Sequence, residues 1–268
     1  MKLNTEAKLY QIFRIAIAMC FIGHGAFGII TKQIWCNYFA VFGIGQDMAY
    51  RLMPFVGTFD IIMGILIIVY PMRIVPVWLV IWGIFTALLR PLSNEPFAEF
   101  LERAGNYGVP FAMLLLVGFG NNFKALFSPM KSNSTVEQNV FKIIEICLRV
   151  TVFLLLLGHG WLNLIHKQGL LNQYSSVGIS DPLAVANIVG IFEILAALLI
   201  LIKPLRSILI PLLIWKIISE MFYPVYANWE WIERGGSYAA ILALWIVTNP
   251  ALYKKQVISK DPYSKIPE

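Results

Sequence analysis

Residues 14–44 contain Arg14, Gly23-His24-Gly25, Lys32-Gln33 and Gly43-Ile44, and residues 149–179 repeat them as Arg149, Gly158-His159-Gly160, Lys167-Gln168 and Gly178-Ile179. The offset is a constant 135 residues. After a two-residue gap the match resumes: Gly57, Asp60, Pro71, Arg73, Trp82, Thr86 and Pro91 correspond to Gly190, Glu193, Pro204, Arg206, Trp215, Ser219 and Pro224. It closes on Glu102-Arg103 against Glu233-Arg234. A series of that length in one order is an internal duplication. The chain divides into a first repeat at 1–120, a polar linker at 121–139 and a second repeat at 140–268.

Both copies are built from long apolar runs. Of 268 residues, 59% are hydrophobic and 13% charged, and mean hydropathy is +0.72. That leaves too little polar surface to cover a water-soluble globule. Eight runs, near 9–30, 50–70, 73–91, 104–120, 140–165, 183–203, 205–224 and 235–252, approach the roughly 20 residues a helix needs to cross a bilayer. The runs are continuous rather than alternating, which points to helices and not a barrel. The fold expected is an all-α membrane protein of eight transmembrane helices in two four-helix units. Pro110 makes the fourth run the weakest.

The first run is too long for a signal peptide's apolar region and lacks a small-residue cleavage site. Counting Lys and Arg on alternate sides gives fourteen against seven, which predicts cytoplasmic termini and linker. Glu95, Glu99, Glu102, Glu230 and Glu233 then fall outside, with Trp35, Trp161, Tyr226, Trp229 and Trp231 as an outer aromatic belt. Asn133-Ser134-Thr135 has sequon form but falls on the cytoplasmic side. The net charge of +6 forms no basic stripe, so nucleic acid is not an expected partner; membrane lipid is. Cys20, Cys36 and Cys147 have neither disulfide-framework nor zinc spacing.

A four-helix unit with Gly-His-Gly in its first helix, an acid in its second and a closing E-R-x-G-x-Y resembles the DoxX-like membrane proteins, among them the membrane subunit of thiosulfate:quinone oxidoreductase. The resemblance spans roughly 10–120 and 140–250. It implies a bacterial inner-membrane four-helix bundle, here doubled, and no dependable substrate.

Ionisable groups inside a bilayer are costly, at roughly 2.5–3.5 kcal/mol each on insertion scales, so each needs a partner or a cavity. His24 and Asp60 lie at depths that allow pairing, and His159 and Glu193 repeat them. Span seven adds Lys216 and Glu220, one helical turn apart, where the first copy has Gly83 and Ala87. That asymmetry points to His159, Glu193, Lys216 and Glu220 as a catalytic set around an outward-opening cavity. His24, Asp60, Arg90 and its counterpart Tyr223 are the candidates for substrate contact. Packing is the competing reading, stronger for His24 with Asp60. Arg14 and Arg149, at helix starts, read as topology and lipid-phosphate contacts, and Glu102-Arg103 and Glu233-Arg234 as helix caps.

A quinone-linked redox component fits these groups, with His and Glu carrying a proton and Lys216 stabilising an anion. No flavin or nicotinamide motif is present, so electrons would come from a partner subunit. A haem shared by His24 and His159 rests only on their equivalence. The other class is a non-catalytic protein of transport, or of assembly or secretion of partner proteins. Against transport, no span is clearly broken at mid-membrane.

Overall fold

A computed structural model describes residues 4–130, 136–223 and 227–252, except the side chains of Phe222 and Ala227. Tyr226, Pro224 and the Asn133-Ser134-Thr135 sequon lie outside the described residues. Every regular element among the described residues is helical. The first half runs α1 (Thr5–Ile29), α2 (Trp35–Ala40), α3 (Gln46–Val69), α4 (Ile74–Leu92), α5 (Ala98–Glu102) and α6 (Ala104–Val117). A short α7 (Phe123–Phe127) precedes the second half: α8 (Gln138–Leu164), α9 (Gln168–Ser176), α10 (Pro182–Ile202), α11 (Arg206–Ser219), α12 (Ala227–Glu233) and α13 (Gly235–Val247).

Four helices, α1, α3, α4 and α10, are long and apolar enough to cross a membrane. α6 and α13 are apolar but span 14 and 13 residues, about 20 Å at 1.5 Å per residue, short of a hydrocarbon core of roughly 30 Å. Arg103 and Arg234 fall just before the expected fourth and eighth runs and separate them from the short helices α5 and α12.

Glycine decides how the long helices meet. A Cβ on Gly28 would lie 2.7 Å from the backbone of Gly57 on α3, and one on Gly160 would lie 2.9 Å from the carbonyl oxygen of Gly190 on α10. Such small-residue seams let helix backbones approach where lipid gives no hydrophobic drive to association. The two halves also interlock. Gly23 on α1 faces the backbone of Glu233 at the end of α12, and Gly158 on α8 faces the backbone of Glu102 at the end of α5. Gly105 and Gly236, at matching places on α6 and α13, abut each other. Each Gly-His-Gly therefore has one glycine for its own half's second helix and one for the other half's short helix, with the histidine between.

Arg14 and Arg149 do something more specific than snorkel. Arg14 Nε donates to Ile67 O at 2.8 Å and its Nη2 to Ile68 O. Arg149 Nη2 donates to Ile202 O at 2.9 Å and also to Leu201 O. These are carbonyls of the last turns of α3 and α10, which have no partner within their helices and carry the negative end of the helix dipole.

Candidate functional site

Two polar neighbourhoods form where the halves interlock. In the second half, His159 Nδ1 lies 2.5 Å from Glu193 Oε2, and the other carboxylate oxygen accepts from Trp215 Nε1 at 3.0 Å. Asn163 donates to His159 O at 3.0 Å and accepts from Tyr174 at 2.6 Å. Lys216 Nζ pairs with Glu220 Oε1 at 2.5 Å, and Glu220 Oε2 stands 3.8 Å from Arg234 Nε. Arg234 reaches Glu102 of the first half at 3.1 Å. His159, Glu193, Lys216 and Glu220 are all buried, at 4%, 0%, 1% and 1% exposure. Tyr223 accepts from Arg234 Nη2 at 3.3 Å, at the edge of the same cluster.

Glu102, His159 and Glu220 bring their ligand atoms within 4.8 Å of one another, the spacing of a metal site. Lys216 and Arg234 already hold those carboxylates. A dication would have to sit among these positive groups, so the donor set suits an ion-pair cluster better than a metal.

The first half keeps the frame and lacks the filling. His24 Nδ1 lies 2.7 Å from Asp60 Oδ2, and Asp60 is fully buried. Asp60 is one methylene shorter than Glu193. Its Oδ1 and the Trp82 Nε1 that corresponds to Trp215 are both buried without a hydrogen-bond partner. Gly83 and Ala87 stand where Lys216 and Glu220 stand, and Gly83 lines a cavity of about 150 Å³. This cavity lies beside His24, whereas the four ionisable groups of the second half are buried.

The cavity walls are aromatic. His24 sits 4.7 Å from the Trp35 ring and meets Trp82 edge-on at 6.3 Å. Tyr38 and Phe39 add to the wall, and Phe42 and Phe85, stacked at 5.9 Å and 54% and 40% exposed, form an apolar rim. Cations line the other side. Lys32 pairs with Glu230 of the second half and lies over the Phe27 ring at 3.9 Å. Arg90 bonds Glu95 and Glu99, each at 3.2 Å, and packs on the Tyr38 ring, whose hydroxyl donates to Glu95 at 2.6 Å. Arg103 bonds Glu99 at 2.6 Å and Glu102 at 3.1 Å through Nη1, and its Nε is buried without a partner.

Glu99, on the short α5 ahead of α6, is the hub of this side. Burial opposes its ionisation, but Arg103, Arg90 and Lys167 outweigh that and bring its carboxyl down to about 2. Glu102 is likewise lowered: burial again opposes, and Arg234 and Arg103 prevail. The two Glu-Arg pairs are thus buried ion-pair links between the halves rather than surface caps.

Of the residues expected to contact substrate, His24 and Arg90 line the cavity, Asp60 is buried behind His24, and Tyr223 lies by the second-half cluster. Sequence reasoning missed Trp35, Tyr38, Trp82, Arg103 and Asn106. The usable signal was the Trp82 and Trp215 match: a tryptophan that needs an acceptor, opposite Asp in one copy and Glu in the other. Neither a family model, nor a curated protein, nor a solved structure matches this chain.

Proposed function

We propose that this is a bacterial inner-membrane protein of DoxX-like type, duplicated about an axis along the membrane normal, that binds a lipid-soluble quinone-type headgroup beside His24. The observation that carries the reading is a His–carboxylate pair on the wall of an aromatic cavity with an apolar rim. Ligand sites are commonly concave and mostly apolar, with few polar groups that fix orientation. Trp35 and Trp82 offer faces for an aromatic ring.

Quinone chemistry needs a proton at a ring oxygen as electrons arrive. With Nδ1 engaged by Asp60, the opposite nitrogen of His24 is left to give or take that proton, and Asp60 stabilises the charged imidazole. Electrons come from a partner protein. The fourteen-to-seven division of Lys and Arg supports cytoplasmic termini and an outer-side position for the Lys32 and Arg90 end of the cavity.

The test is titration of the purified protein with decylubiquinone, followed by tryptophan fluorescence. Saturable quenching is expected, with affinity about tenfold weaker in His24→Ala. No saturable binding, or equal affinity in the variant, overturns the reading.

A further inference from the structure

The second half holds, in covalent form, what the first half lacks. Lys216 and Glu220 stand at the positions that Gly83 and Ala87 hold in the first half, and Gly83 lines the cavity. The two sites share the histidine, the acid, the tryptophan and the arginine. Both arginine Nε atoms are buried without a hydrogen-bond partner; the sites differ in that a carboxylate oxygen, Glu220 Oε2, stands at an ion-pair distance of 3.8 Å from Arg234 Nε, where the first half has the cavity. Arg103 is buried to 7% exposure and lines the cavity. A buried charged donor with no acceptor is costly, and native proteins satisfy such groups with protein, water or ligand.

We propose that Lys216 and Glu220 are a built-in occupant of a second, closed copy of the ligand site, and that they show how the open copy is filled. The ligand lies against Gly83 and places an acceptor oxygen, a carbonyl or a carboxylate, on Arg103 Nε. Its apolar body runs past Trp82 to the Phe42–Phe85 rim. The built-in occupant is one cation and one anion, net neutral. The cations around the first cavity are matched by Glu95, Glu99, Glu102 and Glu230, and Glu233 adds a further carboxylate to its lining. The ligand therefore enters uncharged, or as a carboxylate that brings its own proton to His24. This proposal shares its cavity with the quinone reading but depends on the oxygen at Arg103, not on a quinone ring.

Gly83 sits close to α6, and a Cβ there would meet Asn106 O at 3.2 Å, so the neighbour must yield by a few tenths of an ångström. The opposite exchange removes atoms and carries no such demand. Both directions are used. Gly83→Lys with Ala87→Glu writes the built-in occupant into the first site. Lys216→Gly with Glu220→Ala removes it from the second, taking away both members of the ion pair so that neither is stranded.

Binding of decylubiquinone and of decanoic acid to each detergent-purified variant is measured by equilibrium dialysis, with monodispersity checked by size exclusion. Wild type is expected to bind one equivalent of at least one probe. The filled variant should bind it at least about tenfold more weakly, and the emptied variant should bind two equivalents. Binding of decanoic acid alone keeps this proposal and defeats the quinone reading. The proposal is overturned if neither probe binds wild type, if the filled variant binds as wild type does, or if the emptied variant stays at one equivalent. Should the filled variant not be monodisperse, the stoichiometry of the emptied one decides.

Discussion

The His24 and His159 neighbourhoods have the same parts, and they differ in which of those parts meet and in where a cavity is left. Around His159, Glu193 serves both the imidazole and Trp215, and Lys216 and Glu220 fill the space up to Arg234. Around His24, a shorter acid leaves Asp60 Oδ1 and Trp82 Nε1 without partners, and Gly83 lines a cavity together with Trp82 and Arg103. Charge and site have separated. The half richer in ionisable groups is the closed one, because in a bilayer interior such groups persist when they find each other. The half with fewer has room for something else.

The largest test of that difference acts on the closed side. Lys216→Met alone strands Glu220 in a buried setting and should cost about 3–5 kcal/mol. Lys216→Met with Glu220→Gln removes both charges and should cost far less. Thermal unfolding in detergent measures both. A single variant as mild as the double would mean that water reaches Glu220, and the closed description of the second site would fail.

The two His–acid pairs were legible in the sequence, because the offset and helix depth put each histidine within reach of its acid. The vacancy was not. Gly83 and Ala87 stood out only as the absence of Lys216 and Glu220, and sequence reasoning gave significance to what was present. Nor did the offset disclose the interlock. Comparing a half with its copy says nothing of whether α5 packs on its own bundle or on α8, and Gly158 settles that by admitting the backbone of Glu102. The short α5 and α12 escaped notice because Glu-Arg before an apolar run reads equally well as a helix cap.

Acid should loosen the interlock at Glu99, which Lys167 of the other half pairs with together with Arg90 and Arg103. Its carboxyl is held at about 2, below the ordinary carboxylate value of 4.5. A depressed acid contributes stability that is fully present above the unfolded value and lost as pH falls through the folded one. Unfolding temperature should therefore drop between pH about 4.5 and about 2. Glu99→Gln should start lower at pH 7 and lose less over that window. An unchanged pH slope in the variant would show that Glu99 is not what acid releases.

The smallest expected effect is the most direct exchange between the two sites. Asp60→Glu gives the first half the side chain that holds Trp215 in the second, so the added methylene should carry a carboxylate oxygen to Trp82 Nε1. A buried donor left unsatisfied costs about 1–3 kcal/mol, and part of that should be recovered. Against it stands the cost of an extra methylene in packed surroundings, also about 1–3 kcal/mol. The cavity beside Trp82 reduces that second cost, and a net gain of about 1 kcal/mol is expected. Glu193→Asp runs the other way with no cavity to exploit: it orphans Trp215 and leaves a void, and should cost about 1–3 kcal/mol. Thermal unfolding gives both signs, and ultraviolet resonance Raman of the indole N–H reports whether each tryptophan has an acceptor. Opposite signs follow from one satisfied and one open site. If both exchanges destabilise equally and Trp82 stays unbonded in Asp60→Glu, the difference between the halves lies in their helix spacing and not in the length of one acid.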